Sequence, residues 1–370
     1  GFHGLWRLLL FGDPHDPGPL RKRWMRRVRS ESVRVIVGDA ATLSELRDRW
    51  QRLGGTDRAE TSGLAEFVTR QAALALDRAE RRIRGMRYKV PRFVAEEILD
   101  RAAFRGGLTR LAWETGRELP DVTRRASRYL REIAATHSPY VIDLVAHFAR
   151  VLYTRGYGDR LNYDRAQLEH TYALAQRAPV VFLPSHKSNL DHLVLRWALY
   201  ENGHPPNHTA GGINMNFLPM GPLLRRSGVF FIRRTFKDNP IYKFVLGQYI
   251  DYLVEKRFPL EWYLEGGRSR SGKLLPPRFG LLAYVVDAYR RAKSEDVWLI
   301  PVSIGYDQIQ DVGSYVSEQR GGQKERESFS WFLRMFRMLK RRYGEIYIRF
   351  GEPVSLRETL PPLLFKTWHF

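Results

Sequence analysis

This 370-residue chain predicts an α/β protein: a mixed, mostly parallel sheet flanked by helices and preceded by an all-helical N-terminal domain. Three observations carry that prediction. Residues from about 42 to 178 read almost entirely as helix, with Pro and Asp, Ser or Thr at the starts, where helix caps belong. From about Pro179, short β-branched and aromatic runs alternate with helical periods, the texture of strand–helix–strand units. Four polar blocks fall at the C-terminal ends of strand candidates or in the loops after them, where open α/β sheets bind ligands.

In chain order, Gly1–Phe11 (GFHGLWRLLLF) is apolar and aromatic but too short to span a bilayer. Pro14, Pro17 and Pro19 follow it, then a basic stretch over residues 21–29. A short Leu/Phe/Trp segment beside a polybasic one is suited to lie in a membrane interface. Thr42 with Glu45 reads as a capping box that opens a helix running to about Leu53, and Gly54-Gly55 stops it. A longer helix is predicted from Thr61 or Ser62 through Ile83. Others are predicted after Pro91, around Leu108–Arg117, after Pro120-Asp121 and after Pro139. Strands are predicted at Val180–Leu183, Val229–Ile232, Leu260–Leu264, Trp298–Ile304 and Ile346–Phe350, with helices near 190–202, 240–256, 279–293 and 328–343. The resulting division is an N-terminal segment over 1–40, a helical domain over 41–160, an α/β domain over 161–355, and an apolar tail over 356–370.

Composition narrows the chemistry. Hydrophobic residues at 44% and nine Trp argue for a folded chain. Sixty-one Lys and Arg against 40 Asp and Glu leave a formal charge of +21, which attracts polyanions, phosphorylated ligands or an acidic lipid surface. There is no cysteine, which excludes disulfides, thiolate metal sites and a thiolate nucleophile. An acyl or phosphoryl group would move by another nucleophile or directly between substrates.

The four blocks supply candidate residues. His186-Lys-Ser-Asn-Leu-Asp191 offers an imidazole base and a carboxylate to orient it. Taken alone, that spacing is more often a loop-stabilising pair. Gly228–Arg234 ends in Arg233-Arg234, two guanidiniums suited to bidentate phosphate recognition or to a solvated strand end. Glu265–Lys273 contains Gly267-Arg-Ser-Arg-Ser-Gly-Lys273, which matches a P-loop except that Leu274 stands where a magnesium-binding hydroxyl belongs. A nucleotide–magnesium site is thereby excluded, while a phosphate cradle is not. The fourth block is Val297–Tyr306, centred on Pro301. No Gly-x-Ser-x-Gly, His-Glu-x-x-His or Gly-x-Gly-x-x-Gly occurs, which argues against elbow-type hydrolases, zincins and classical dinucleotide enzymes. Ser330–Tyr343 reads as an amphipathic helix with Phe332, Met335, Phe336 and Leu339 in a core.

With these blocks in hand, the chain resembles the bacterial PlsB-type glycerol-3-phosphate acyltransferases of the His-x4-Asp acyltransferase family. They share the same four blocks in the same order. The likeness extends through Arg87–Pro91, Gly321–Ser328 and Phe350–Pro353, covering most of residues 80–355. The resemblance implies the His-x4-Asp acyltransferase fold. It also implies transfer of a fatty acyl group from acyl-CoA or an acyl carrier protein thioester to the sn-1 hydroxyl of glycerol 3-phosphate, giving lysophosphatidic acid. It implies His186 as general base and Asp191 as its partner. Arg234, Arg268 and Ser269 would hold the phosphate, with Arg233 and Lys187. Glu265, Gly266 and Gly267 would shape the glycerol site with Arg270 beside them, and Pro301 the sheet beneath. No cofactor and no metal are expected. The expected partners are the two substrates and an anionic membrane surface, with no nucleic acid. The implied location is peripheral, on the cytoplasmic face of the bacterial membrane. Members of this family usually continue well past the acyltransferase region. Two alternatives remain: another acceptor, either dihydroxyacetone phosphate or a lysophospholipid, or a non-catalytic basic protein binding nucleic acid or anionic lipid.

Overall fold

A computed structural model describes residues 40–52, parts of 63–75, and 94–158, 161–218, 220–309 and 342–360. The described residues divide into two compact units, those within 40–75 and those within 94–360. In the first, helix α1 (Leu43–Arg52) opens on the expected capping box. Thr42 N–H donates to Glu45 Oε2 at 2.9 Å, and Glu45 N–H returns a longer bond to Thr42 Oγ1 at 3.3 Å. Trp50 packs on Phe67 within this unit. The expected membrane segment over 1–40 and the helix over Ser330–Tyr343 lie outside the described residues, the latter almost entirely.

The second unit begins with four helices: α2 (Val94–Leu99), α3 (Ala102–Thr115), α4 (Leu119–Ile133) and α5 (Pro139–Tyr157). Pro120 and Pro139 stand in the first turns of α4 and α5, where a missing N–H costs nothing. Then come β1 (Leu161–Tyr163), α6 (Arg165–Arg177), β2 (Val180–Pro184), α7 (Asp191–Glu201), β3 (His208–Gly212), α8 (Met220–Arg226) and β4 (Val229–Ile232). The rest is α9 (Pro240–Glu255), β5 (Leu260–Glu261), α10 (Gly280–Arg290), β6 (Trp298–Tyr306), β7 (Ile346–Phe350), β8 (Val354–Ser355) and α11 (Leu356–Thr359).

The strands form one sheet in the order β1-β7-β6-β2-β5-β3-β4, with β8 also on β6. Every pairing is parallel except β6 with β7 and β6 with β8. The mixed, mostly parallel sheet read from the sequence is therefore the observed one. Its parallel centre is covered on both faces, as such sheets require. On one face, Val181 of β2, Phe230 of β4 and Leu260 of β5 join a core with Val122, Ala126 and Leu130 of α4, Tyr249 and Leu253 of α9, and Val285 of α10. Alternation turns Val180 and Phe182 to the other face. The helical pair α5 and α7 is buried outside that core, through Ala149 and Leu152 and through Val194 and Leu195.

Helices α2 to α4 share the sheet's core and belong with it to one compact unit. One expectation, the extent of β5, is corrected here. Strand β5 stops at Glu261, short of Leu264, because the chain turns at Tyr263–Gly266, where Gly266 N–H bonds the Tyr263 carbonyl at 3.0 Å.

Candidate active site

Strands β2, β5, β3 and β4 run parallel, and β6 runs parallel to β2, so the C-terminal ends of all five share one edge of the sheet. Block one follows β2, block three follows β5, block two ends β4 and its loop, and Tyr306 ends β6. The sheet itself brings the blocks together.

His186 and Asp191 meet as read. His186 Nδ1 lies 3.0 Å from Asp191 Oδ2, with the imidazole 22% exposed and the carboxylate fully buried. Five residues is no helical spacing; the loop makes the contact. Asp191 is the first residue of α7, where the helix dipole favours a negative group. The loop wraps its carboxylate, with the N–H groups of Lys187 and Ser188 donating to Oδ2 at 2.7 and 2.8 Å. Tyr306 Oη donates to Oδ1 at 2.6 Å. A carboxylate so held keeps the proton of His186 on Nδ1 and leaves Nε2 as the ring nitrogen able to accept another.

Glu265 and Ser269 are built into the same loop pair. Buried Glu265 accepts from His186 N–H at 2.9 Å and from Leu275 N–H at 2.9 Å, so one carboxylate ties the β2 loop to the β5 loop. Ser269 N–H donates to the His186 carbonyl at 2.7 Å. Its hydroxyl donates to the Lys273 carbonyl, inside its own loop. Gly266 has φ 62°, a left-handed conformation that favours glycine, and a Cβ there would push aside the exposed Arg278 side chain, whose Cδ lies 2.6 Å away. Gly267 and Arg270 are exposed, and Arg268 is half-buried beside Ser269. No helix follows Lys273 until Gly280, which removes the helix N-terminus that a P-loop needs. Pro301 sits in β6 opposite Leu183 of β2, its carbonyl accepting from Gly351 N–H at 2.8 Å.

Arg233 has a partner that the sequence did not suggest. Its guanidinium makes a bidentate pair with Glu132 of α4, at 2.6 and 2.7 Å, over the rings of Tyr129 and Tyr242. The hydrogen bonds to Glu132 hold it well above the usual guanidinium range. The structure thus gives this side chain an ion-pair partner in α4. Arg234, exposed at the next position, points to no such partner among the described residues.

Three groups were not singled out in advance. The Tyr263 ring lies on His186, with centroids 4.1 Å apart, and burial pushes its hydroxyl well above the usual range. Glu261, fully buried, accepts from His192 Nδ1 at 3.0 Å, Asn207 Nδ2 at 3.0 Å and Thr209 Oγ1 at 3.3 Å. Burial pushes that carboxyl up, but His192, Asn207 and Arg196 together outweigh it and leave it below its ordinary value. Tyr306 is the third. It stood at the end of the fourth block, and only strand order shows what it faces. No grouping of His, Asp or Glu suited to a metal occurs among the described residues.

Comparison of the sequence with known proteins matches it to a family. The acyltransferase family profile covers residues 165–305, and that of the glycerol-3-phosphate acyltransferase C-terminal region covers 315–362. A protein named glycerol-3-phosphate acyltransferase from Aeromonas hydrophila is 37% identical over 345 residues, 93% of this chain. The chain belongs to the bacterial glycerol-3-phosphate acyltransferase family. A second relative of that name, from Pseudomonas putida GB-1, is 39% identical over 63% of the chain. The chain spans 41% of the Aeromonas relative's length and 28% of the Pseudomonas one's. A solved 1-acyl-sn-glycerophosphate (LPA) acyltransferase from Thermotoga maritima shares 15% identity, covering 58% of this chain and 69% of that one. Its TM-score of 0.37 is too distant to add to the assignment.

Proposed function

We propose that this edge of the sheet transfers an acyl group from a thioester to the sn-1 hydroxyl of glycerol 3-phosphate, giving lysophosphatidic acid. The observation that carries the reading is the His186–Asp191 pair, with the buried carboxylate fixing Nδ1 at 3.0 Å. His186 Nε2 takes the hydroxyl proton as the oxygen attacks the thioester carbonyl carbon. The tetrahedral intermediate then collapses, the C–S bond breaks, and the thiolate leaves with the proton returned from Nε2. No covalent enzyme intermediate is needed, in keeping with a chain without cysteine. Arg268 and Arg234, with Lys187 and Arg270, are the cations assigned to the acceptor phosphate and to the anionic thioester carrier, either coenzyme A or acyl carrier protein.

The surface around this loop supports a membrane-bound setting. Leu274 is 75% exposed and Phe279 60% exposed, and Arg270, Lys273 and Arg278 lie among them, also exposed. Apolar side chains set among cations fit an anionic lipid surface, and we assign this loop to it, at the inner face of a bacterial membrane. No helix among the described residues is long and apolar enough to cross a membrane.

The test compares acceptors in anionic vesicles, with acyl-CoA and acyl carrier protein thioester as separate donors. Glycerol 3-phosphate is expected to give the highest kcat/KM, ahead of dihydroxyacetone phosphate and lysophosphatidate. A preference for either competitor would reassign the acceptor, and salt-dependent nucleic-acid binding without acyl transfer would replace the reading altogether.

A further inference from the structure

We propose that Tyr306 is a positioning residue for the His186–Asp191 pair, setting the basicity of His186 through the far oxygen of Asp191. The effect on rate rests on the acyl-transfer reading above; the effect on His186 does not. Asp191 gathers its donors unequally. Oδ2 receives His186 Nδ1 and the N–H groups of Lys187 and Ser188, whereas Oδ1 receives the Tyr306 hydroxyl at 2.6 Å.

Tyr306 does not owe its direction to Asp191. It is the last residue of β6, paired with Ile346 of β7. Its ring packs against Tyr157 with centroids 5.3 Å apart, and Tyr157 is itself tied by its hydroxyl to the Gln308 carbonyl at 2.9 Å. A phenol pre-aimed in this way fixes the plane of the carboxylate, so that Oδ2 faces the imidazole. Burial, with Asp191 beside it, holds the phenol proton well past neutral pH, so Tyr306 acts as a donor throughout the working range.

The consequence is chemical. A hydrogen bond to Oδ1 draws charge from the carboxylate and weakens its hold on the Nδ1 proton. Removing that bond leaves a more basic carboxylate, which stabilises the imidazolium and raises the pKa of His186. The other titratable groups facing the pair are Tyr263 on the imidazole ring, Glu265 at the His186 N–H, and Lys187 in the loop. Tyr157 and Tyr263 also face Tyr306 itself, and a change at 306 substitutes none of these groups.

The experiment titrates His186 by NMR in protein carrying 15N-labelled histidine, its signal identified by its loss in His186→Ala. In Tyr306→Phe the midpoint is expected to rise by about half a unit to one unit. kcat should fall about tenfold, as for one hydrogen bond to a charged group, with KM for glycerol 3-phosphate within about twofold. Tyrosine fluorinated at its 3-position, a stronger donor placed at 306, should move the midpoint down. An unmoved midpoint in these proteins overturns the proposal, even if stability drops, because a merely structural tyrosine would lower stability alone. If the Phe protein does not fold, the fluorinated protein decides. The titration needs no substrate, so failure of the acceptor assignment shows separately in the acceptor comparison.

Discussion

Asp191 is the residue on which the site closes, because its carboxylate serves the imidazole and the loop at once. Asp191→Asn replaces one acceptor oxygen by an amide donor, which either disfavours the Nδ1–H tautomer of His186 or faces the N–H groups of Lys187 and Ser188. kcat is expected to fall about a thousandfold or more, by analogy with the tautomer loss in a catalytic triad. Steady-state kinetics beside circular dichroism check this, and a fall of under about tenfold would contradict it. At this scale the sequence was legible where chemistry is local. His186 and Asp191 lie five positions apart, and a loop suffices to join them. The contact of Arg233 was not legible, because its partner, Glu132, lies 101 positions away in a helix with no motif of its own. Tyr306 was visible as a residue but not as a contact, since its target depends on β6 lying beside β2.

Among the elements, strands with dense apolar runs were the readable ones: Val229–Ile232 and Ile346–Phe350 form with the expected ends. β3 escaped because His208-Thr-Ala-Gly-Gly212 has neither an apolar run nor alternation, and only its neighbours β4 and β5 make it a strand. Two changes test how elements are fastened to the site's edge. Gly228, just before β4, has φ 108°, and a Cβ there would lie 2.6 Å from His137 Nε2 and 2.7 Å from the Asn207 carbonyl. Gly228→Ala is therefore expected to abolish soluble folded protein or lower its melting temperature by about 10 °C or more. Glu132→Ala frees Arg233 from α4 and should cost about 1.5–3 kcal/mol in denaturant unfolding, the range for hydrogen bonds to a charged group. An unchanged midpoint would show that the pair contributes nothing net, the outcome common for exposed ion pairs.

For the molecule as a whole, the parallel centre and its helical cover followed from alternating texture, whereas the packing of helices α2 to α4 on it did not. Nothing local records that their apolar faces meet the sheet. Three buried histidines make the whole fold pH-sensitive. Burial lowers His137 to about 3, lowers His204 to about 4, and holds His208 well below its ordinary value. Between the unfolded value near 6.5 and those folded values, the unfolded chain binds more protons, so stability falls as pH drops through that window. The urea midpoint at pH 5 should lie below that at pH 7, and an equal or higher one would contradict this. The measurement that tests the central claim most directly is glycerol-3-phosphate-dependent lysophosphatidate formation by wild-type protein and by His186→Ala, with folding checked by circular dichroism. A folded variant slowed by about a hundredfold or more is expected. A folded His186→Ala protein that keeps wild-type activity would show that this edge of the sheet is not the acyl-transfer site.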